Sequence, residues 1–308
     1  MGTVKIKAYA KVNLTLEIVG QKDGYHLLDS FVASVDLFDL IVLKKRKGKL
    51  STITMRGRGS ESIPPEHNNA RKAAELFSQK FQTDGADITV YKNIPMGAGL
   101  GGSSADAAGV LNGMAKLYGI DDDVGLGEIA DQLGSDTKYM LTGGYARMQG
   151  RGTEITKLSV DKTLHLLLLC PKTSVSTGAC YAAFDRMENK EVGKNDTQNA
   201  IDALLRGDDV ELGRALMNDL YLPAATLNAD VKETYHKACS FSPLGAAMTG
   251  SGSAVFALFE TRELCEWAKS RYIGSAEAMV VKTIAPEYKT KEKQGFRNPF
   301  VLGESEKL

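Results

Sequence analysis

A run of small residues, PMGAGLGGSSADAAG at positions 95–109, constrains this chain more than any other segment. Glycine adopts positive φ angles that other residues avoid, and it lets bare N–H groups approach an anion closely. We expect this behaviour of Gly97, Gly99, Gly101 and Gly102. The alanine-rich residues that follow favour a helix through about Tyr118, whose positive end would face the same anion. The run therefore predicts a phosphate-binding loop, and a nucleoside triphosphate is the expected ligand.

The two best-known phosphate-loop motifs do not fit this run. A Walker A loop needs GxxxxGK[ST], which the run does not contain. A Rossmann fingerprint needs an acidic residue after a second strand, and none stands at the expected spacing. On the run alone, a glycine-rich turn that only joins a strand to a helix stays an open alternative.

Length and charge limit the classes of protein that this chain can represent. With 308 residues, the chain exceeds the size at which one hydrophobic core stops growing, so two domains are expected. The 38 basic residues balance the 38 acidic ones, so no overall field attracts nucleic acid or an anionic membrane. The basic run at 44–47 follows the apolar DLIVL and is typical of a solvated sheet edge. The expected partner is a small molecule, bound by a monomer or a homodimer.

The cysteines and the first residues give no sign of a secreted or metal-bound protein. The four cysteines include no CxxC pair, and the chain has only four histidines, so we expect free buried thiols. The first residues lack an apolar signal core, and no stretch approaches about 18 uncharged apolar residues. A cytoplasmic protein is therefore expected.

Hydrophobic periodicity predicts an α+β chain of two domains, 1–158 and 159–308. Alternating apolar residues predict strands, and a helical period predicts an amphipathic helix over 68–81. The predicted strands are 5–19, 31–45, 50–57, 86–94, 163–170 and 279–285, with a strand pair over 143–156. Further helices are predicted at 123–134, 178–187, 196–207 and 209–220, and the charged tail 287–308 is expected to be partly mobile or to contact another copy.

Two more segments support the glycine-rich run. AYAKVNLTLEIVGQKDGYH at 8–26 is a strand that ends in a tight turn, and LGAAMTGSGSAVFALFE at 244–260 is a second small-residue loop before an apolar strand. Together with the run at 95–109, they resemble the GHMP kinases, and the resemblance spans residues 6 to about 260. It implies a two-domain GHMP kinase fold, with an N-terminal domain like domain 2 of ribosomal protein S5 and a ferredoxin-like C-terminal domain. It also implies ATP and Mg²⁺ as cofactors.

The DGYH turn narrows the resemblance. A KVN strand followed by DGYH is similar to the GHMP kinases that phosphorylate a cytidine-linked sugar alcohol in the non-mevalonate isoprenoid pathway. Two other functions stay open: a kinase of the homoserine or mevalonate type, and a non-catalytic nucleotide-binding protein on the same fold. An aromatic site for cytosine would argue against the first, and a retained catalytic pair would argue against the second.

The resemblance implies a catalytic pair, Lys11 of AYAKVN and Asp136 of LGSDTKYM. A carboxylate held beside an ammonium group can accept the proton of the substrate hydroxyl while the ammonium polarises it. Taken singly, Lys11 is better explained by an exposed strand lysine. Asp136 alone fits a helix N-cap or a turn.

The resemblance also implies the residues that bind ATP. Ser104 is expected near the magnesium or the terminal phosphates, and Asn68 and Lys92 on the adenine side. For the latter two, a helix N-cap and an edge-strand lysine are the alternatives. The implied set is Asn68, Lys92, Pro95, Met96, Gly97, Ala98, Gly99, Leu100, Gly101, Gly102, Ser103, Ser104, Ala105, Asp106 and Ala107.

Substrate recognition is implied for five further residues. Tyr25 and Tyr181 would sandwich a pyrimidine ring, and the His26 imidazole would hydrogen-bond to its edge. Thr177 begins the same SVSTGACY segment as Tyr181, and Asn13 is expected to hold the erythritol end near Lys11. Alternatively, Tyr25 only covers the core and Tyr181 packs on the sheet.

Overall fold

The computed structural model describes residues 2–60, 68–188 and 196–286. The described residues of the N-terminal half form seven strands and four helices. These are β1 Thr3–Asn13, β2 Thr15–Lys22, β3 Tyr25–Lys45, β4 Thr52–Gly57, α1 Asn69–Phe81, β5 Ala86–Lys92, α2 Gly102–Tyr118, α3 Asp123–Ala130, α4 Thr137–Met140, β6 Tyr145–Gly150 and β7 Glu154–Leu158.

The C-terminal half has five strands and six helices among the residues described. They are β8 His165–Cys170, α5 Thr177–Asp185, α6 Asp196–Arg206, α7 Asp209–Ala215, β9 Met217–Asn218, α8 Tyr221–Leu227, α9 Ala229–Cys239, β10 Gly245–Met248, β11 Val255–Phe259, α10 Arg262–Arg271 and β12 Glu277–Ile284.

The long strand β3 organises the sheet. It pairs antiparallel with β1, β2, β5 and β6 at different points along its length, and also with β12 at Val35 and Ser34. Its residues 29–35 are buried on both faces, and Phe31, Val32 and Ile41 are fully buried. Side chains on both faces of this section therefore pack inside the protein and away from water. β3 therefore forms the centre of the N-terminal core.

Helix α2 packs against the sheet at very short distance because glycines face it. A Cβ atom built on Gly109 would lie 2.5 Å from Ile41 Cδ1 and 2.9 Å from the Cβ of Ala8. The helix ends at Tyr118, as predicted, and Gly119 then adopts a left-handed conformation that closes it. The close approach holds the N-terminal end of α2 at the edge of the glycine-rich loop.

The C-terminal sheet has the order β10-β11-β8-β12, with antiparallel neighbours. Numbered along the chain as four strands, this is the order 2-3-1-4 of a ferredoxin-like domain, which confirms the expected C-terminal fold. β12 lies beside β8 and also pairs with β3, so one continuous sheet passes from one half of the chain to the other.

Several local predictions differ from the structure. The predicted strand 5–19 is two strands, because the chain breaks at Leu14. The helix predicted over 209–220 ends at Ala215, since Met217 and Asn218 pair with β2 instead. Helices α8, α9 and α10 were not predicted at all, and the charged tail 287–308 lies outside the described residues.

The proposed domain boundary at residue 158 falls between β7 and β8. One large cluster of buried side chains includes Phe31 of the first half and Phe256 of the second, so the two halves share part of their core. In the described ranges, no helix combines the length and the apolar character needed to cross a membrane. The exact boundary, the cytoplasmic location and the monomeric or homodimeric state stay predictions.

We expect Gly109→Ala to destabilise the protein by about 1–3 kcal/mol, because the new methyl group overpacks the interface between α2 and the sheet. Gly127→Ala is the matched control: it also lies in a helix, but its Cβ would meet only Lys138 Cε, at 3.7 Å. That change should stabilise the protein by up to about 1 kcal/mol through helix propensity. Urea unfolding of both variants measures the difference, and equal stability changes would contradict the packing described.

Candidate active site

The three segments singled out in the sequence meet at one place. Lys11 N donates a hydrogen bond to Leu100 O at 3.1 Å, which joins β1 to the glycine loop. Ala254 N donates to Ala98 O at 3.1 Å, and the Thr249 hydroxyl lies within hydrogen-bond distance of Gly99 O, at 3.3 Å. The loop at 95–101 therefore lies between β1 and the small-residue loop of the C-terminal half.

The backbone of the glycine loop follows the sequence prediction except at one position. Gly97, Gly99 and Gly101 have φ angles of 64°, 76° and 71°. At Gly99 a Cβ atom would lie 2.1 Å from Thr249 O, so no side chain fits there. The expectation of positive φ at Gly102 is wrong, because that residue is the first of α2 and takes part in the helix.

The N-terminal end of α2 is open toward the loop. Gly101 occupies the cap position and has no side chain that could cap the helix. The first N–H groups of a helix have no partner within it, so they are free to bind an anion unless a side chain caps them. Deeper in the helix, Ala105 and Ala107 are buried and belong to the core.

Lys11 and Asp136 form an ion pair, with 3.3 Å between Lys11 Nζ and Asp136 Oδ2. Lys11 is only 4% exposed, and the pairing of β1 with β3 is irregular between Tyr9 and Lys11. Such irregularities re-aim side chains at strand edges and active sites. Asp136 stands at the cap position of α4, but its carboxylate makes no capping bond. The carboxylate is therefore used for the lysine and not for the helix.

Asn13 connects this pair to the C-terminal half. Its Oδ1 accepts hydrogen bonds from Lys11 Nζ and from Gly250 N at 3.0 Å, and it competes with Gly99 O for the single proton of the Thr249 hydroxyl, which lies 3.3 Å from each. Its Nδ2 donates to the Ser30 hydroxyl at 2.8 Å. The buried amide thus fixes the position of the lysine ammonium group relative to the loop at 249–252.

A cavity of about 740 Å³, here called the substrate cavity, opens beside the ion pair. Its walls carry all seven residues that the sequence assigned to catalysis and substrate recognition. These are Lys11, Asn13, Tyr25, His26, Asp136, Thr177 and Tyr181. The residues come from β1, β3, α5 and the cap position of α4, so only the fold brings them together.

The aromatic residues of the substrate cavity are arranged around His26. Its ring stacks on Tyr181 with 4.7 Å between centroids, and its Nε2 lies 2.8 Å from Asp185 Oδ1. Tyr25 is 52% exposed, and the Arg151 guanidinium lies 3.3 Å from the centre of its ring. Sequence reasoning missed Arg151 and Asp185. The GRG turn at 150–152 was the only signal for the arginine.

The Tyr181 hydroxyl is neutral at physiological pH. Burial raises the pKa of Tyr181 to about 12, and the negative charge of Asp136 adds to the shift. A protonated hydroxyl in a cavity wall can donate a hydrogen bond to a polar ligand atom. Tyr181 therefore offers both a ring face and a donor.

A second cavity of about 460 Å³, here called the loop cavity, lies on the other side of the glycine loop. Asn68, Lys92 and Asp106 line it, together with every loop residue from Pro95 to Ser104, whereas Ala105 and Ala107 do not. The two cavities share five lining residues. These are Gly97, Gly99, Gly101, Ser104 and Thr177. A ligand that fills both cavities would cross the loop at these residues.

Asn68 and Lys92 already have protein partners. Asn68 Oδ1 caps α1 by accepting from Ala70 N at 3.0 Å and from Arg71 N at 3.3 Å. Lys92 Nζ donates to Asp39 Oδ2 and, at 2.6 Å, to Asp106 Oδ2. Burial raises the pKa of Asp106 to about 7, although the charge of Lys92 opposes the shift. Both residues line the loop cavity with these bonds in place.

The described ranges hold no cluster of three or more metal-binding His, Cys, Asp or Glu side chains. All four cysteines are free thiols. Cys170, Cys180 and Cys265 are buried as expected, but Cys239 is exposed because it ends α9 at the surface.

Two family models match the chain: the GHMP kinases N terminal domain at residues 68–146 and the GHMP kinases C terminal domain at residues 200–266. The first match contains the glycine loop and Asp136, and the second contains the loop at 249–252. The fold and this site define a GHMP kinase.

Relatives that match over most of their length show which branch of the GHMP kinases the chain belongs to. A 4-diphosphocytidyl-2-C-methyl-D-erythritol kinase of Clostridium tetani is 34% identical over 91% of this chain and 100% of its own length. One of Caldicellulosiruptor saccharolyticus is 35% identical over 83% of this chain and 88% of its own length. The chain belongs to the 4-diphosphocytidyl-2-C-methyl-D-erythritol kinase family of the GHMP kinases.

Solved structures of GHMP kinases have a similar fold. A crystal structure of 4-(cytidine 5'-diphospho)-2C-methyl-D-erythritol kinase is 29% identical, superposes with a TM-score of 0.74, and covers 91% of this chain and 99% of the other. The homoserine kinase of Cytophaga hutchinsonii shares the fold with a TM-score of 0.69 at 18% identity, over 92% of this chain and 95% of the other.

We expect Thr249→Val to destabilise the protein by about 1–3 kcal/mol, because the buried Asn13 N–H loses its hydroxyl acceptor, now at 3.0 Å. Valine keeps the shape of threonine, so packing changes little. Thr226→Val serves as the control, since the Thr226 hydroxyl only bonds to Leu222 O on an exposed helix. Urea unfolding compares the two variants, and a loss no larger than that of the control would refute the buried network.

Proposed function

We propose that this protein transfers the γ-phosphate of ATP to the 2-hydroxyl of 4-diphosphocytidyl-2-C-methyl-D-erythritol, in the non-mevalonate route to isoprenoid precursors. The observation that carries the proposal is the Lys11–Asp136 pair, which lies in the substrate cavity beside the glycine loop. Phosphoryl transfer needs a cradle for the nucleotide and a group that orients and deprotonates the acceptor hydroxyl. Candidates for both requirements line two cavities that share five lining residues.

The loop cavity is the proposed ATP site. Positive φ angles at Gly97, Gly99 and Gly101 turn the loop backbone, and the uncapped end of α2 offers N–H groups to phosphates. The Ser104 hydroxyl, in the first turn of α2, lines both cavities. Hydroxyl and carboxylate oxygens are the hard donors that Mg²⁺ prefers, so Ser104 and the nucleotide phosphates fit this ion. Bound Mg²⁺ would neutralise charge that develops on the phosphates.

Lys11 and Asp136 are the proposed catalytic residues. The Lys11 ammonium group would polarise the acceptor hydroxyl and attract the transferring phosphoryl group. Asp136 Oδ2 would accept the hydroxyl proton as the new O–P bond forms. Because Asn13 Oδ1 already accepts from Lys11 Nζ, the ammonium group needs no rearrangement to take this position.

The aromatic wall is the proposed cytosine site. Tyr181 presents one face to His26, so a base would stack between its other face and Tyr25. When His26 Nε2 donates to Asp185, its Nδ1 is left as an acceptor. A hydrogen-bond acceptor can bind the amino group of cytosine, but it repels the carbonyl oxygen that uracil has at the same position. Thr177 and Arg151 would then face the polar diphosphate end.

Two other functions have weaker support. A homoserine or mevalonate kinase would keep the glycine loop but would make no use of the aromatic wall. A non-catalytic nucleotide-binding protein would have no need of the Lys11–Asp136 pair. A phosphorylation assay that offers the cytidine-linked substrate, homoserine and mevalonate side by side tests the proposal. Phosphorylation of homoserine or mevalonate alone would overturn it.

We predict that Asp136→Asn lowers kcat on the order of a hundredfold or more, because the amide cannot accept the hydroxyl proton. ATP affinity, measured by calorimetry, should be unchanged because the carboxylate lies in the substrate cavity. Asp131→Asn is the control, since Asp131 pairs with Lys138 at the exposed end of α3. Turnover close to wild type in Asp136→Asn would rule out its assignment as the base.

We predict that Tyr25→Ala raises KM for the cytidine substrate by about 10-fold or more, since a base stacked on an aromatic ring gains about 1–3 kcal/mol. KM for ATP should not change. Tyr25→Phe should retain activity, because it keeps the ring face. Tyr91→Ala, which removes an exposed tyrosine of β5 outside both cavities, is the control. Unchanged kinetics in Tyr25→Ala would remove the case for a cytosine site.

A further inference from the structure

Three ionisable side chains are buried together where the glycine loop meets the sheet. Lys92 ends β5, Asp39 lies in β3, and Asp106 lies in the second turn of α2. Their exposed fractions are 7%, 0% and 4%, so water does not screen their charges. Lys92 Nζ lies between the two carboxylates and donates to both of them. These three residues are here called the buried triad.

The buried triad holds both ends of the loop. Asp39 Oδ1 accepts hydrogen bonds from the backbone N–H groups of Asn93 and Ile94, where the chain leaves β5 and enters the loop. Through Lys92, the same carboxylate is connected to Asp106, which belongs to the helix that the loop enters. The start and the end of the loop are therefore fixed to one residue of β3.

Stability does not explain such a cluster. Buried charges lose their hydration, and replacing them by apolar side chains of similar shape is often neutral or stabilising. Here two carboxylates share one ammonium group, and Asp106 Oδ1 has no hydrogen-bond partner in the part of the chain that the structure describes. What the cluster supplies is a defined distance and direction between three elements, because charged hydrogen bonds are short and directional.

The middle of the loop is held differently. Ala98 and Gly99 are bonded to residues 249–254 of the C-terminal half. The rest of the loop is bonded to the N-terminal half: Lys11 N donates to Leu100 O, and the buried triad provides the polar side-chain contacts of Asn93 and Ile94. A displacement of α2 relative to β5 would change the spacing between Gly101 and the loop residues before it.

We propose that the buried triad is a positioning device that fixes both ends of the glycine loop and so sets the geometry in which its N–H groups bind phosphate. Asp39, Lys92 and Asp106 act through the loop, because their charged groups bond to one another and to the loop backbone, although Lys92 and Asp106 also line the loop cavity. The proposal rests on the proposed function in taking ATP as the ligand. Preorganised donors lose their effect when they are displaced by as little as about 1 Å.

Asp106→Ala and Asp106→Asn test the positioning role. Alanine removes the link from Lys92 to α2, whereas asparagine keeps an oxygen that accepts from Lys92 but loses the charge. Asp209→Ala is the matched control: Asp209 also pairs with a lysine, Lys162, at 2.8 Å, and its Oδ1 is also buried without a partner among the described residues. Asp209 lines neither cavity.

We expect Asp106→Ala to raise KM for ATP by about tenfold or more, as displaced donors would, and to leave KM for the cytidine substrate within about twofold of wild type. Hydrogen exchange of the amides at 93–101, measured without nucleotide, should become at least about tenfold faster by the same argument. Asp106→Asn should fall between wild type and alanine, because a neutral hydrogen bond is roughly half as strong as a charged one. Asp209→Ala should change neither quantity.

The opposite results are equally clear. Unchanged exchange and an unchanged ratio of the two KM values in Asp106→Ala would overturn the proposal, as would the same shifts in Asp209→Ala. If the alanine variant does not fold, the asparagine variant decides: we expect about a threefold rise in KM for ATP alone, and no rise would overturn the proposal. If the wild-type protein binds no ATP, the proposal that ATP is the ligand is wrong. Hydrogen exchange at 93–101 still tests whether the buried triad positions the loop, because it is measured without nucleotide.

Discussion

The structure of the site depends on one close approach of two backbones. Gly99 lies so near to Thr249 that a single Cβ atom would come within 2.1 Å of the Thr249 carbonyl oxygen. Because the contact is between main chains, no rotamer change could relieve a side chain placed there. This contact lets Ala98 pair with Ala254 and lets Asn13 reach Gly250. Lys11, the glycine loop and the loop at 249–252 are therefore positioned together.

Much of the site could be predicted because its residues lie in short, distinctive segments. The glycine run, the KVN strand and the DGYH turn each carry their meaning within a few residues. The helix that ends at Tyr118 was also predictable, since alanine-rich periodicity and the following Gly119 are both local signals. The structure brings Lys11 and Asp136 within 3.3 Å, as the pairing implied.

What could not be predicted depends on partners distant in the chain. Asp185 is 159 positions from His26, and no local pattern marks it as the partner of that imidazole. Arg151 stood out only as part of a turn, although its guanidinium covers Tyr25. The break at Leu14 and the short strand β9 arise because tertiary pairing overrides local alternation. Lys92 was assigned to the nucleotide from its position, but its neighbours Asp39 and Asp106 are visible only in the folded chain.

The double pairing of β12 has a consequence for how the chain is made. Residues 277–284 complete the C-terminal sheet against β8 and also extend the N-terminal sheet at β3, so neither half has its full set of strands before they leave the ribosome. During synthesis, β3 lacks this partner until about 250 further residues have been made, as the pair Val35 and Thr283 shows. Such long-range closure is slow and leaves strand edges exposed in the meantime. The growing chain therefore completes both sheets only after Ile284 has been made, and until then its open strand edges can pair with other chains.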